Sequence, residues 1–321
     1  MTRLTAVTAL AVIALNLVPA FALERAATQP APAPAPAPAA SKIEAMVPGT
    51  TTGAAFLNVR RVFALYGDLI KKAPQYSQIE KAIAAGFPDP AKDIDQVGLV
   101  SNIDHFTESA LQVVVTGSIN MDGLMKFAQT EHVEFAPSMF RGVTLMTSKL
   151  DKKGAQLGFY DENTTIISVD DKATDPVHEG TKALVATLKK EQPSFGEKNQ
   201  LTLPANYLAN LSVQIPAELT SSLDSVAGGQ FAVAKAIKFV AASVTAEERT
   251  KDASLSITLT CDTEEHATGV KTVLEMLAGA AANGGHGADI LNQLKLSVAG
   301  KNVVVELTIA RSDMEHWVAN N

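Results

Sequence analysis

The chain has 321 residues, of which 46% are hydrophobic and 19% charged, and its formal net charge is −7. An acidic balance without a run of basic residues argues against binding to nucleic acid or to anionic lipid headgroups. The single cysteine cannot form an internal disulfide, so the fold must be held by packing alone.

The first residues, MTRLTAVTALAVIALNLVPAFALERAA, have the order of a secretory signal peptide, which we assign to residues 1–22. A basic residue precedes an apolar run, and the run is followed by Pro19 and the small residues Ala20 and Ala22. This order predicts cleavage after Ala22 and export to the periplasm or the medium, with no stable membrane insertion afterwards. The alternative is an uncleaved anchor, because residues 4–23 could just span a bilayer of about 30 Å.

A linker is predicted over residues 23–44, where proline and alanine alternate from Pro30 to Pro38. Proline fixes φ and lacks an N–H group, so this segment should run as extended polyproline II. At about 3.1 Å per residue it would form a stiff spacer of roughly 28 Å. The spacer either holds the folded part away from a membrane, wall or partner, or is a simple tether behind the signal peptide.

The remaining residues predict an α+β protein built from two similar units of antiparallel sheet, each with helices packed on one face. We place the first repeat at residues 45–192 and the second at residues 193–321. In chain order the first should contain the strand AAFLNV, a helical stretch over 60–85 broken near Pro74, the strands QVGLVSNI and SALQVVVTGSI, a short helix from Met121, one additional strand over 143–150, the hairpin AQLGFYDENTTIISVD and a helix over 176–191.

The second repeat follows the same order without the additional strand. It should contain the strand LANLSVQIP, a mostly helical stretch over 217–235, the strands IKFVAASVT and ASLSITLTC, a helix over 264–282, the hairpin LKLSVAGKNVVVELTIA and a last helical turn or two in SDMEHWVAN. In both repeats apolar and polar residues alternate along the central strands, as in half-buried antiparallel strands. The correspondence is clearest at the hairpins, where the matched pairs are Leu157 with Leu296, Phe159 with Val298, and Asn163 with Asn302.

This arrangement of signal peptide, Pro/Ala spacer and two α+β repeats resembles uncharacterised exported bacterial proteins of the domain-of-unknown-function kind. The resemblance covers most of the mature chain and rests on pattern, without a catalytic motif. It implies a location in the cell envelope and no assigned reaction.

The stretch CDTEEH, residues 261–266, is the strongest candidate for a chemical site, because it joins the only cysteine to three acids and a histidine. A local structural role also explains it. Cys261 shares a strand face with Leu259 and is expected in the core. Asp262 is expected to cap the following helix, with Glu265 at the third helical position completing a capping box. The alternative is a metal or nucleophile site that includes His266.

The other candidate residues are scattered along the chain. No His-x-His, His-Glu-x-x-His or Cys-x-x-Cys pattern is present, so no metal site is predicted. The glycine-rich NGGHGAD follows a helix, which favours a helix stop over a phosphate loop. We therefore name no catalytic, cofactor-binding or metal residue and no cofactor. The residues weighed were His105, His132, His178, His286 and His316, the turn Asp104, His105 and Glu108, and Trp317 as an anchor for the chain end.

Three classes of function remain open. The first is an exported non-enzymatic binding or scaffold protein of the cell envelope, whose partner would be an unknown envelope protein. The second is a carrier of a lipid or other apolar ligand, which requires an apolar cavity. The third is a hydrolase or metalloenzyme whose residues converge only in three dimensions, in a polar cleft.

The cleavage site gives a first prediction. Because Ala20 and Ala22 satisfy the small-residue rule, mature protein recovered from an exporting host should begin at Leu23 by N-terminal sequencing. Recovery of a chain that begins at Met1 would favour the anchored alternative.

Overall fold

The computed structural model is an α+β protein with antiparallel sheets, which confirms the predicted class. It describes residues 43–73, 76–101, 111–130, 132–148, 154–170, 175–199, 201, 203–215, 235–282 and 293–320. These contain twelve strands and seven helices, in two compact units that divide between Leu203 and Pro204. The signal peptide with Ala20 and Ala22, and the Pro/Ala segment, lie outside the described residues.

The described part of the first unit contains seven strands and five helices. The strands are β1 Gly53–Leu57, β2 Gln96–Ser101, β3 Leu111–Thr116, β4 Phe135–Phe140, β5 Val143–Ser148, β6 Gly154–Asp161 and β7 Thr164–Asp170. The helices are α1 Val59–Ile70, α2 Tyr76–Ala84, α3 Met121–Thr130, α4 Glu179–Leu188 and α5 Phe195–Asn199. The strands pair in the order β1-β2-β3-β7-β6-β5-β4, and each neighbouring pair is antiparallel.

Between α3 and β6 the structure has two strands, β4 and β5, where the sequence predicts only one, over 143–150. The predicted strand corresponds to β5. The missed strand is β4, whose sequence FAPSMF contains Pro137. Proline has no N–H group to donate to a neighbouring strand and is therefore found mainly in edge strands. β4 comes last in the strand order of its unit, where a proline is tolerated.

Helix α1 shows how the sequence produces local structure. The side chain of Asn58 accepts a hydrogen bond from the backbone N–H of Arg61 at 3.1 Å and so caps the first turn. Val62, Leu69 and Tyr66 follow at helical spacing and are buried. The cap and the apolar stripe together fix where this helix begins and which side faces the core.

Strand β3 of the first unit is buried on both faces. Gln112 and Val114 point to one face of β3 and Val113 and Val115 to the other, and all four are buried. The side chains of Ile43, in a short 3₁₀ helix, and of Val47 pack close to Gly98 and cover the face that includes Val114. A strand that is buried on both faces reads as a continuous apolar run, as VVV in β3 does.

Residues 193–199 pack in the first unit, whereas the sequence analysis assigned them to the second. Ser194 forms an isolated antiparallel bridge with Pro48, and the N–H of Phe195 donates to the carbonyl of Val47 at 2.8 Å. The rings of Phe195 and Phe56 lie with centroids 6.5 Å apart. The unit boundary therefore falls after Leu203.

The second unit has five strands and two helices among its described residues. They are β8 Tyr207–Gln214, β9 Ile237–Ala246, β10 Ala253–Cys261, β11 Lys295–Ala299 and β12 Asn302–Ile309, with α6 Glu264–Ala282 and α7 Arg311–Asn320. The strands pair in the order β8-β9-β10-β12-β11, and each neighbouring pair is antiparallel. The helix predicted over 217–235 falls almost wholly outside the described residues.

The two hairpins differ by one residue at their turns. Asn163 lies in the turn between β6 and β7, but Asn302 is the first residue of β12 and pairs with Ala299. The expected match of Asn163 with Asn302 is therefore wrong. The reason is a bulge in β6 between Phe159 and Asp161, which inserts a residue that β11 lacks.

Helix α5 carries a capping box that the sequence analysis missed, although its signature Ser-x-x-Glu is visible in SFGE. The N–H of Ser194 donates to a carboxylate oxygen of Glu197 at 2.8 Å, and the N–H of Glu197 donates to the hydroxyl of Ser194 at 3.2 Å. The carboxylate of Glu197 accepts hydrogen bonds from the N–H of Ser194 and, at 3.1 Å, from its hydroxyl, and these two bonds, the backbone one first, hold the pKa of the Glu197 carboxyl below its usual range.

Loss of this cap should destabilise the first unit. We expect Ser194→Ala to lower the free energy of unfolding by about 1 kcal/mol in urea titrations, because the N–H of Glu197 loses its acceptor. The matched control is Ser138→Ala at an exposed position of β4, which should change stability by less than about 0.5 kcal/mol. Equal effects of the two substitutions would contradict this role.

Candidate binding surface

Cys261 packs in the core of the second unit, as predicted. It ends β10, is 2% exposed, and lies in an apolar cluster with Ala267, Val270 and Val303. Burial, and secondarily the neighbouring carboxylate of Asp262, raise the pKa of the thiol. A buried thiol with a raised pKa is a poor nucleophile, because the thiolate is the reactive form.

The cap of α6 differs from the predicted one. The hydroxyl of Thr263 accepts a hydrogen bond from the N–H of His266 at 3.1 Å, so Thr263 is the capping residue and His266 stands at the third helical position. The expected capping box of Asp262 and Glu265 is wrong by one residue, because α6 begins at Glu264.

Asp262 and His266 instead pair with each other. The carboxylate oxygen of Asp262 lies 2.6 Å from Nδ1 of His266, and both side chains are partly exposed. This hydrogen bond holds the pKa of the Asp262 carboxyl below its usual range. An exposed pair one helical turn apart is a surface interaction of small energy, and nothing in it directs the ring toward Cys261.

The remaining candidates that the structure describes do not converge on one site. Among the residues that the structure describes, no three or more His, Cys, Asp or Glu side chains lie where they could hold a metal ion. His132 and His316 are exposed, and His178 is buried ahead of α4. Outside the described residues lie His105 and His286, with Asp104, Glu108 and the NGGHGAD segment, and also the side chain of Trp317.

A buried polar row crosses the sheet of the first unit. Gln112 pairs with Ser168, Ser168 with Gln156, and Gln156 with Thr147, so these side chains share one face. The amide nitrogen of Gln156 donates to the hydroxyl of Thr147 at 2.8 Å, and its amide oxygen accepts from the N–H of His178 at 3.2 Å. The row consists of neutral hydrogen-bonding groups that hold the start of α4.

Helix α4 approaches this row too closely to leave space for a ligand. A Cβ atom on Gly180 would lie 2.6 Å from the hydroxyl oxygen of Ser168 and 2.8 Å from Cγ of Gln112. Only glycine permits this approach. The row therefore fixes the position of helix α4. The sequence did not indicate this role, because polar residues at alternate positions of a strand were expected to face water.

The sheet of the second unit has one face that is entirely apolar, which we call the apolar face. Directly paired residues of antiparallel strands point to the same side, so the register defines its members. They are Ala209, Leu211 and Val213 of β8; Val240, Ala242, Val244 and Ala246 of β9; Ala253, Leu255, Ile257, Leu259 and Cys261 of β10; Leu296 and Val298 of β11; and Val303, Val305, Leu307 and Ile309 of β12.

One row of this face retains solvent exposure in every strand. We call it the Leu211 row, and it consists of Leu211, Ala242, Ile257, Val305 and Leu296, each paired with the next. Leu211 is 43% exposed, and the other four are half-buried. The two neighbouring rows each include a buried residue, Val303 in one and Leu307 in the other.

Helix α6 accounts for the better cover of one neighbouring row. It contacts β10, β11 and β12, and its Leu274 packs on the cluster that includes Val303. The same helical stripe continues to Leu277, but that side chain is 50% exposed. The cover that α6 provides therefore weakens toward its carboxyl end, which leaves apolar side chains in contact with water.

The opposite face of this sheet, which we call the polar face, is rich in hydroxyl groups. Ser254, Ser297 and Thr308 are exposed there, whereas Asn210 and Ser212 of β8 are buried. Exposed hydroxyl groups are ordinary on the polar face of an antiparallel sheet, whereas exposure of an apolar face is not. The strands alternate as the sequence predicts, but alternation alone does not reveal which part of the apolar face stays uncovered.

Burial of Cys261 leads to a third prediction. The folded protein should react with a thiol reagent far more slowly than the protein in denaturant, because the side chain is 2% exposed. Cys261→Ala should cost about 1 kcal/mol of stability through lost packing. Labelling at equal rates in the folded and unfolded states would show that the thiol is accessible.

Comparison with known proteins finds similarity only at the level of structure. No model of a known protein family matches the chain, and no curated protein matches it. Crystal form III of TP0453 aligns with a TM-score of 0.48 and 10% identity, over 88% of this chain and 97% of that chain. Form I gives the same TM-score and identity over 88% and 96%, and form IV gives 0.47 and 11% over 86% and 94%. Within the described residues, no helix is long and apolar enough to cross a membrane.

Proposed function

We propose that the chain is an exported, non-enzymatic binding or scaffold protein of the bacterial cell envelope, and that the apolar face of the second unit is its binding surface. The observation that carries this proposal is the exposure of the whole Leu211 row. Burial of apolar area is favourable by roughly 25 cal/mol per Å². A row that keeps aliphatic side chains in water is therefore a surface on which a ligand or partner gains free energy by covering it.

The two units also support the proposal when compared strand by strand. We infer that they are copies of one pattern, because β1-β2-β3-β7-β6 and β8-β9-β10-β12-β11 follow the same pairing order. β3 and β10 occupy the third place in each. Val113, Val114 and Val115 of β3 are buried, but Leu255, Ile257 and Leu259 of β10 are only half-buried. The second copy thus keeps a face available that the first copy covers.

Site-directed crosslinking tests this proposal. A photoreactive amino acid at Leu211, in the full chain expressed in an exporting host, should form an adduct with one defined species from the envelope. The same amino acid at Ser254, exposed on the polar face, is the matched control and should form none. The adduct must form again with the purified species.

Two results would count against the proposal. Adducts of equal yield from Leu211 and Ser254 would mean that the apolar face has no special role. Recovery of the unprocessed full chain in the cytoplasmic fraction alone would contradict the proposed location in the cell envelope.

A further inference from the structure

We infer that Pro137 closes the free edge of the first unit's sheet, and so prevents β4 from adding a strand from a second copy of this chain. The inference is independent of the proposed function, because it concerns the sheet of the first unit and not the apolar face of the second. It rests on where the backbone groups of β4 point and on the N–H group that proline lacks.

The outer side of β4 has no strand paired with it among the described residues. β4 comes last in the strand order of its unit and pairs antiparallel with β5 on its inner side. Pro137, Ser138 and Met139 are exposed, and Met139 is 74% exposed. An accessible edge of this kind is a template on which another extended chain can pair.

The turn between β4 and β5 determines which residues face this edge. Arg141 and Gly142 form the turn, and their φ values of 49° and 81° are those of a type I′ turn. The residues that flank a two-residue turn of this type, here Phe140 and Val143, exchange both of their backbone hydrogen bonds. The hydrogen-bonding pattern along β4 is thereby fixed from its last residue.

The backbone groups of β4 alternate between β5 and the free edge. Counting back from the turn, Ser138 bonds with β5, whereas Met139, Pro137 and Phe135 direct their backbone groups outward. Proline can occupy its place without loss to the hairpin, because no N–H group is needed there for pairing with β5. The residue is therefore harmless inside its own sheet and acts only at the free edge.

Pro137 is the middle one of the three residues that face outward. Two copies of β4 that paired antiparallel about this residue would bring the two prolines opposite each other. Each proline lacks the N–H group that the pair would need, and its ring occupies the space that the donor would use. The two hydrogen bonds at the centre of such a pair would be lost, which disfavours the addition of the strand.

Proline is the feature within β4 that opposes pairing. The sequence FAPSMF contains no charged side chain, although charges such as lysine commonly protect edge strands. Without the proline, an exposed and uncharged strand with two phenylalanines and a methionine would resemble segments that add to other sheets. Pro137 is therefore the residue that keeps this sheet from growing at β4.

Backbone amide exchange in the unchanged full chain tests the orientation of β4. The N–H of Met139 faces outward and should exchange at a rate close to that of an unstructured amide. The N–H of Ser138 bonds with β5 and should exchange at least about tenfold more slowly. Equal exchange rates of the two amides would contradict the assigned pattern and overturn the inference.

Substitution of the proline tests its effect on association. Pro137→Thr restores the outward N–H and should allow the full chain to dimerise, with a dissociation constant in light scattering at least about tenfold lower than that of the unchanged protein. Ser138→Thr is the matched control, because it places the same β-branched side chain at the adjacent exposed position and keeps the proline. It should associate no more strongly than the unchanged protein.

Two further variants connect the dimer to this edge and guard against loss of folding. Met139→Pro removes the N–H at the next outward position, so its addition to Pro137→Thr should restore the dissociation constant of the unchanged protein. Pro137→Ala also restores the outward N–H and replaces Pro137→Thr if that variant fails to fold, as judged by thermal unfolding followed by circular dichroism.

Three association results would overturn the inference. The first is a folded Pro137→Thr protein that associates no more strongly than the unchanged one. The second is equal association of the Ser138→Thr and Pro137→Thr proteins. The third is a dimer that survives the addition of Met139→Pro, since the copies would then meet elsewhere. Dimerisation of the Pro137→Thr protein alone, with protection of the Met139 amide that rises with protein concentration, supports the inference.

Discussion

The alternation of side chains between the two faces of the sheet is the constraint on which the second unit depends. The pairing of β8, β9, β10, β12 and β11 shifts register only at Thr260/Cys261 and at Tyr207/Ala209. Between these points the aliphatic residues of the alternation fall on one side, with Val304 on the other. A slip of one residue in any strand would send its apolar side chains to the polar face. The register therefore creates both the core under α6 and the exposed Leu211 row beside it.

The first unit has the same strand order in five of its strands, but its third strand, β3, is covered on both faces. The buried amide group of Gln156 donates to Thr147 and accepts from the N–H of His178 at the start of α4. These hydrogen bonds make burial of Gln156 tolerable and fix where the helix begins, since a buried polar group without a partner would be costly. Cover on both sides suits a structural role, and partial cover suits binding.

Local packing and capping explain the residues of the CDTEEH stretch, which was the strongest candidate for a chemical site in the sequence. Cys261 is a small apolar residue of the core, Thr263 caps α6, and Asp262 pairs with His266 at the surface. Each neighbour in the sequence thus serves a separate local purpose. Residues that are close in sequence at the junction of a strand and a helix point in different directions, so their proximity is weak evidence for a shared site.

The sequence by itself determined the class of the fold, the strands of the second unit and the start of α6, because these depend on periods of two and 3.6 residues that are written locally. It also indicated that Cys261 is buried. Tertiary structure alone decided that residues 193–199 belong to the first unit, that β6 has a bulge, and that Gln112 and Ser168 lie under Gly180. Tertiary structure also decided that every residue of the Leu211 row keeps some exposure to solvent, whereas Val303 in the neighbouring row is buried. Cover depends on where a helix from elsewhere in the chain comes to rest, and no periodicity within a strand records that position.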